Sequence, residues 1–188
     1  ATGGAAWRLL QAPSVTGRTI AAAPIASDTI AGLTAALAAA QPGDVVRLEP
    51  GTYAEQVVVP AGVSLRARVP GSALFTRALG VTGEWVAITL AGDAGGGLSG
   101  VRVSSTDAAP VQVGVRVQGQ GRVVDLLQVD GPMVAALDVA ADAAVSLHGV
   151  HLQVSGPAAV VGPRAQLEVR GSILGTTADG QPAAGVPG

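Results

Sequence analysis

Two histidines, two aspartates and a tryptophan stand out in this sequence as side chains that could bind a ligand or do chemistry. His148 and His151, on either side of Gly149 and Val150, could offer a metal two imidazole nitrogens, and Asp125 and Asp138 could offer carboxylates to a sugar or a cation. Trp85 would give a ligand a flat ring to rest on if its side chain is exposed. These five residues are therefore the candidate ligand-binding positions.

The histidine pair does not predict a metal site. The chain has no cysteine, and no carboxylate stands close to either histidine in the sequence. Strand alternation places both imidazoles on the solvent side, before and after a turn at Gly149, if the apolar residues between them face inward. Two ligands without a third make a weak site. We expect no metal and no cofactor.

The carboxylates are not spaced for sugar hydrolysis. Glycoside hydrolysis needs two carboxyl groups about 5 to 10 Å apart on one open face. The two equally spaced pairs of charges have opposite signs instead: Arg116 with Asp138, and Asp142 with Arg164. Their spacing recurs among the apolar residues of the chain, and such pairs predict a surface ladder of exposed ion pairs. We expect no catalytic residue in this chain.

Asp125 leaves two interpretations open. It falls in a column whose other members are apolar, namely Val103, Leu147 and Val169. A carboxylate in a dry interior would have a raised pKa and could mark a site. Alternatively the strand bends within residues 123–127, which lack clean alternation, and Asp125 turns outward. We favour the bend.

The elements that would position these residues are short valine-rich runs separated by Gly, Asp and Ser turns. Several apolar columns recur at one constant spacing: Val101, Val123, Val145 and Leu167; Val117, Val139 and Val161; Val115 and Leu137. A period of about 22 residues without intervening helices indicates a solenoid of directly stacked strands. The sequence predicts an all-β parallel β-helix of about six coils over residues 45–174, with neighbouring coils about 4.8 Å apart.

A helix is predicted at one end of this stack. Residues 29–40 place Ile30, Leu33 and Leu37 on one stripe, Ser27 or Asp28 could cap its start, and Pro42 follows its end. We expect this helix to cover the N-terminal coil, because an open strand edge recruits other chains. The predicted organisation is an N-terminal extension at 1–28, a capped β-helix at 29–175 and a turn-rich tail at 176–188. The C-terminal coil has no evident cap and could pair with another subunit.

The run from Ile30 to Val59 resembles the opening of the pectin-lyase-like right-handed parallel β-helix superfamily. The shared features are a lid helix, then Pro-Gly-Asp at 42–44, a strand, Pro-Gly-Thr-Tyr at 50–53 and a second strand. The resemblance implies the right-handed fold, a superfold that serves many functions. The motifs of its enzymes are missing: Trp85 is followed by Val-Ala, and the chain has neither an Asp-His nor a Gln-Asp pair.

A second resemblance is to the extracytoplasmic β-helical regions of bacterial receptor-type serine/threonine kinases. It rests on short pieces: Val63-Ser-Leu-Arg, Val69-Pro-Gly-Ser-Ala-Leu, Val113-Gly-Val-Arg-Val, Asp130-Gly-Pro and a closing Pro-Gly-Val stretch. It implies a sensor module outside the cytoplasm, attached to a membrane through a segment not contained in this sequence.

The composition of the chain argues against nucleic acid as a partner and against a membrane span. The net charge is −2, charged residues make up 13% and aromatic residues 2%, so the chain offers neither a basic face nor stacking rings to nucleic acid. No uncharged stretch has the length and polarity of a membrane span. The sequence begins with Ala1 rather than Met, which suggests a piece of a longer protein. We expect a non-catalytic recognition module for a carbohydrate or a protein, with a divergent carbohydrate-active enzyme or a structural module as alternatives.

Overall fold

Short strands that alternate inward valine or leucine with outward polar residues make up most of the chain. The computed structural model describes residues 17–24 and 31–175. In chain order its elements are β1 (Thr19–Ala23), β2 (Ala31–Gly32), α1 (Leu33–Ala39), β3 (Val45–Leu48), β4 (Gly51–Tyr53), β5 (Val57–Val59), β6 (Ser64–Ala67), β7 (Ala73–Phe75), β8 (Val86–Ala91), β9 (Gly97–Ser99), β10 (Val101–Ser104), β11 (Val113–Gln118), β12 (Arg122–Asp125), β13 (Gln128–Gly131), β14 (Ala135–Val139), β15 (Ala144–His148), β16 (His151–Val154), β17 (Ala159–Val161), β18 (Gln166–Arg170) and β19 (Ile173–Leu174).

These strands stack into three parallel sheets that enclose one core. The first sheet has the order β18-β15-β12-β9-β6-β3-β1-β2, the second β19-β16-β13-β10-β7-β4 and the third β17-β14-β11-β8-β5. Strands β3 to β17 make five coils of three strands, β18 and β19 begin another, and β1 and β2 extend the first sheet, which gives about seven turns. The expected all-β parallel β-helix is confirmed, and the architecture is consistent with a right-handed coil.

Coil length varies along the stack. The C-terminal coils keep the predicted period, as in the column Val117, Val139 and Val161, whose register is confirmed. Nearer the N-terminus the period changes: the step from Val45 to its partner Ser64 is shorter, and the step from Ser64 to its partner Gly97 is much longer. The extra residues lie in the turns, so the sheets remain continuous while the period changes.

The predicted column through Val101 and Val123 is wrong because of this change in period. Val101 lies in the second sheet beside Ala73, whereas Val123 lies in the first sheet beside Ser146. Arg122 and Val124 take the inward positions of β12, and Val123 is 38% exposed. A shift of one residue turns every side chain of a strand to the other face. The outward position expected for Asp125 therefore comes from this shift of register, and the irregular backbone lies just after it, at Leu126, whose φ is +52°.

The lid helix is shorter than predicted. It begins at Leu33, after Ala31 and Gly32 pair as a strand with β1, and its N-cap is Gly32, which provides no side-chain cap. Leu33, Ala36 and Leu37 are buried against β1, β3 and β5, so the helix does cover the N-terminal end of the core. The expected caps Ser27 and Asp28 lie outside the described residues. Strand β1 falls within the segment predicted as an extension.

The buried carboxylate of Asp44 links the start of β1 to the turn that follows α1. Asp44 accepts hydrogen bonds from the Arg18 backbone N–H at 2.8 Å, from Arg18 Nη2 at 2.7 Å and from the Gln41 N–H at 2.9 Å. The Arg18 guanidinium, followed by the two backbone donors, lowers the pKa of Asp44 to about 2. This carboxylate thus joins the strand before the lid to the turn after it.

The C-terminal end of the stack is not covered within residues 17–24 and 31–175. Val161 keeps its register beside Val139, but it is 46% exposed whereas Val139 is fully buried. In the described part of the chain, the only helix is the short α1, far below the length that crossing a bilayer requires.

Candidate functional site

The outer face of the first sheet carries two straight columns of side chains, which we call the ladder face. Parallel in-register pairing stacks equivalent positions on successive coils. From the N-terminal coil onward, one column contains Arg47, Arg66, Ser99, Asp125, His148 and Arg170, and the other contains Val45, Ser64, Gly97, Val123, Ser146 and Glu168.

Asp125 and His148, both predicted as ligand-binding residues, meet on this face. They are register partners on β12 and β15, and His148 Nδ1 lies 2.9 Å from Asp125 Oδ1. Their side chains are 42% and 44% exposed, so both remain open to solvent. Their separation in the sequence is one position longer than the repeat, and the period alone therefore did not predict the pair.

A groove of about 400 Å³ lies beside this pair, on the N-terminal half of the ladder face. Ser64, Arg66, Ser99, Val123 and Asp125 line it, and its floor is the backbone of the glycine pair at 96–97. A second groove of about 290 Å³ continues the depression toward Ser146 and Glu168, sharing Gly121 and Val123 with the first.

Backbone crowding explains why the floor is glycine. A Cβ atom on Gly97 would lie 2.0 Å from the Val123 carbonyl oxygen, and one on Gly96 would lie 2.3 Å from the Val63 carbonyl oxygen. Gly96 also has φ +82°, a conformation that side chains disfavour. Because these positions exclude side chains, the face keeps a depression between the polar rows on either side.

Two arginines stand side by side at the N-terminal end of the groove. Arg47 and Arg66 are register partners on β3 and β6, and both are exposed. Arg47 Nη2 lies 3.7 Å from Glu49 Oε1, whereas Arg66 has no ion-pair partner among the described residues. Like charges on neighbouring strands repel each other. An acidic group bound between them would relieve this repulsion.

The opposite end of the ladder face is internally neutralised. Arg170 Nε donates to Glu168 Oε1 at 2.8 Å, and Ser146 Oγ donates to Glu168 Oε2 at 3.1 Å. The hydrogen bonds from Arg170 and then Ser146 lower the pKa of Glu168. The face is therefore cationic at one end and balanced at the other.

Asp138 lies away from this groove, on the outer face of the third sheet. It accepts from Arg116 Nε at 2.7 Å, and Arg116 Nη2 also donates to Glu84 at 2.9 Å. These two hydrogen bonds, first the one that Arg116 donates to Asp138 and then the one to Glu84, raise the pKa of Arg116. Asp142 and Arg164 form the other predicted pair, with two contacts of 2.6 Å. Both predicted ion pairs between neighbouring coils are confirmed, and the Asp138 carboxylate is bound to Arg116.

His151 belongs to a different surface. It lies on the outer face of the second sheet, where it lines a shallow polar pocket of about 330 Å³ together with Arg102, Gln128, Asp130 and Gln153. Arg102 donates to both oxygens of Asp130 at 3.0 and 3.1 Å. The two histidines thus diverge onto separate sheets. Residues 17–24 and 31–175 contain no cluster of three metal-ligating side chains.

Trp85 offers no exposed ring. It is 6% exposed, and the Arg77 guanidinium lies 5.6 Å from its ring centroid. Arg77 donates to the Pro110 carbonyl at 2.8 Å and to Gln112 Oε1 at 3.3 Å, and Gln112 Oε1 also accepts from the Trp85 backbone N–H. This packing holds the loop before β8 against the coils.

Arg122 is a buried residue that the sequence did not reveal. Its side chain points into the core, 1% exposed, and donates to the carbonyls of Pro60 and Ala91, at the ends of the first two coils. Burial lowers its pKa. The arginine follows a glycine turn, where an exposed position is the ordinary expectation. Only the three-dimensional arrangement of those two carbonyl groups shows why it can be buried.

Most carboxylates of the described chain lie beside an arginine or a histidine. Of the eleven described aspartates and glutamates, eight lie within ion-pair distance of an arginine or histidine: Asp44, Glu49, Glu84, Asp125, Asp130, Asp138, Asp142 and Glu168. Among the described residues, no serine hydroxyl hydrogen-bonds to His148; the nearby Ser146 donates to Glu168 instead.

The ladder face is thus the surface of the described chain that brings together an open groove, an arginine without an ion-pair partner and two of the predicted site residues. Comparison of the sequence and the structure with protein-family models, curated proteins and solved structures finds no match to any of them.

Proposed function

We propose that this chain is a non-catalytic recognition module that binds an extended, acidic ligand along the ladder face. The observation that carries the proposal is the groove beside Arg66, an exposed guanidinium without an ion-pair partner among the described residues. Arg47 on the adjacent strand adds a second positive charge. A carboxylate, sulfate or phosphate group of the ligand would accept hydrogen bonds from both arginines.

We expect an extended ligand because the polar positions of the ladder face recur from coil to coil. Ser64 and Ser99 follow the arginines, and Asp125 and His148 come next along the same surface. The aromatic side chains of the described residues, Tyr53, Phe75 and Trp85, are all buried. Recognition on this face therefore relies on charge and hydrogen bonds rather than on ring stacking.

The chemistry of the carboxylates supports a binding role over catalysis. Asp125 is paired with His148 and Glu168 with Arg170, and neither forms the carboxylate pair that sugar hydrolysis requires. The Asp125–His148 contact resembles the oriented base of a hydrolase, but such a base acts on a nucleophile within hydrogen-bond reach. The alternative of a divergent carbohydrate-active enzyme rests on this pair alone.

The wider setting is proposed from the sequence resemblance. The short motifs shared with receptor-type serine/threonine kinases suggest an extracytoplasmic sensor region of a larger bacterial protein, and the run from Ile30 to Val59 suggests a place in the pectin-lyase-like superfamily. In that setting, ligand binding on a rigid solenoid would report to an attached domain.

The test is a binding panel measured with the purified chain at low and high salt. Sulfated dextran, polygalacturonate and poly-glutamate provide acidic probes, while dextran and poly-lysine provide neutral and basic ones. We expect at least one acidic probe to bind, with an affinity that falls as salt increases. Binding of the neutral or basic probes alone would overturn the proposal.

Two matched variants locate the binding. Arg66→Ala removes the guanidinium beside the groove, and Arg164→Ala removes an exposed arginine that lines neither groove. Loss of a charge-assisted hydrogen bond weakens binding by about 10- to 100-fold, so Arg66→Ala should show that loss and Arg164→Ala should not. Turnover of any probe that Asp125→Ala abolishes would favour the enzyme instead.

A further inference from the structure

The last coil leaves the interior of the solenoid open. Within the stack, the inward-facing side chains are covered by the next coil: Leu147 and Leu152 are nearly or fully buried. The equivalent side chains at the C-terminal end are not: Val169, the register partner of Leu147, is 40% exposed, and Val161, the register partner of the buried Val139, is 46% exposed. Side chains that face the core elsewhere in the fold therefore face solvent here.

Among the described residues, all three sheets end at this surface with a strand that has no partner on its outer edge. Strands β18, β19 and β17 are the terminal members of the first, second and third sheets. An edge strand presents unpaired backbone N–H and C=O groups that invite another strand. At the other end of the stack, α1 covers the core. The C-terminal end thus combines exposed apolar side chains with open backbone groups.

Residues 176–188 contain little apolar surface. Residues 176–188 contain a single large aliphatic side chain, Val186, among Gly, Ala, Pro and polar residues. The C-terminal end, in contrast, presents two inward-facing valines that are 40% or more exposed: Val161 and Val169. A second open end of the same kind would match it in both size and chemistry.

We infer that two copies of this chain pair end to end through their last coils, related by a two-fold axis perpendicular to the solenoid. The axis passes between the two β18 strands, level with Glu168, so the strands run antiparallel and extend the first sheet from one copy into the other. Symmetric pairing of this kind is the commonest form of protein dimer.

The sequence of β18 suits this arrangement. Centred on Glu168, antiparallel pairing sets Leu167 of one copy against Val169 of the other, so both inward positions remain apolar. It also sets Gln166 against Arg170, which creates no like-charge contact. Each Glu168 lies opposite the other Glu168, but each carboxylate already accepts hydrogen bonds from its own Arg170 and Ser146.

Pairing through the first sheet has a consequence for the ladder face. The outer faces of the two first sheets would merge into one continuous surface, with an arginine pair toward each far end. An extended ligand could then contact both copies at once, and binding to two linked sites raises the apparent affinity. The pairing itself does not depend on the proposed function.

A single cysteine tests the geometry, because the chain contains none. Residues opposite each other in antiparallel strands have Cα atoms about 4.5 to 5.5 Å apart, within the range that a disulfide spans. Glu168→Cys should form a disulfide-linked dimer rapidly under mild oxidation. Ser146→Cys is the matched control: it lies in the same outward column, one strand further from the end, and should not cross-link.

The unsubstituted chain tests the association itself. Analytical ultracentrifugation from about 1 to about 100 µM should show a monomer–dimer equilibrium that mass action shifts toward dimer. Val169→Arg should abolish the dimer, whereas Val134→Arg, at a 65% exposed position on the side of the solenoid, should leave it intact. If Val169→Arg fails to fold, as judged by circular dichroism, the comparison of Glu168→Cys with Ser146→Cys tests the dimer.

The inference is overturned if the unsubstituted chain stays monomeric over this range, or if Glu168→Cys cross-links no faster than Ser146→Cys. In the monomeric case, hydrogen exchange of the β18 amides with and without residues 176–188 would show whether that segment covers the end instead. Dimerisation would stand even if no acidic probe binds, so the failure of either proposal is recognised separately.

Discussion

Aspartate substitutions at two adjacent valines would test the register of β12. Val124 is completely buried, and Val123 is 38% exposed on the ladder face. Loss of a buried valine side chain costs about 1.5 to 3 kcal/mol. A carboxyl group in the core has its pKa raised by about 3 to 5 units, and at pH 7 the resulting cost is limited by the gap to the unfolded pKa of about 3.9, which corresponds to about 4 kcal/mol. Val124→Asp should therefore lower the free energy of unfolding by about 5 to 7 kcal/mol at pH 7, comparable with the entire stability of many domains.

The matched substitution should be mild. Val123→Asp places its carboxylate in solvent, where surface changes usually alter stability by less than about 1 kcal/mol. Urea unfolding monitored by circular dichroism at pH 4 and pH 7 measures both variants. For Val124→Asp the folded-state pKa lies above the unfolded value of about 3.9, so the electrostatic loss is small near that pH and grows as the pH rises. An equal or larger loss for Val123→Asp would refute the register.

Three further predictions concern the lid and the surface charges. Leu37→Asp places a charge between α1 and the first coil, and should cost several kcal/mol in thermal unfolding; an unchanged melting temperature would show that the helix does not cover the core. Asp44 has its folded-state pKa lowered to about 2, mainly by Arg18, so its contribution to stability is present above the unfolded pKa of about 3.9 and disappears as the pH falls toward 2. Unfolding of Asp44→Asn should consequently depend less on pH over that interval than unfolding of the unsubstituted chain, and equal slopes would contradict the assignment. Replacing both Arg116 and Asp138 with Gln should shift the unfolding free energy by less than about 1 kcal/mol, and a loss of several kcal/mol in urea unfolding would show that the pair does more than bridge two coils.

The fold could be predicted because the strand and turn residues act locally. Inward valines repeat within each coil, the turns contain glycine, and Leu33 and Leu37 occupy one face of the lid. The length of each coil could not be predicted in the same way. Turns in a solenoid can lengthen without disturbing the sheets, so the long step between Ser64 and Gly97 leaves no trace in a fixed-period alignment.

The candidate site was predictable only in part, for the same reason. Asp125 and His148 were identified individually, but their contact depends on a one-residue shift at β12. The groove depends on the glycine pair at 96–97 lying between β6 and β12, and the sequence does not reveal that neighbourhood. The burial of Arg122 could not be predicted, because the sequence does not show that two carbonyl groups of earlier coils lie beside its side chain.

The central claim, that the ladder face is the ligand-binding surface, can be tested directly by nuclear magnetic resonance. Amide chemical shifts of the isotope-labelled chain would be mapped during titration with whichever acidic probe binds best, with dextran as the neutral control. The account predicts that the largest shift changes fall on Arg66, Ser99 and Asp125. Changes centred on Gln128 and His151 of the second sheet, with the ladder face unaffected, would contradict it.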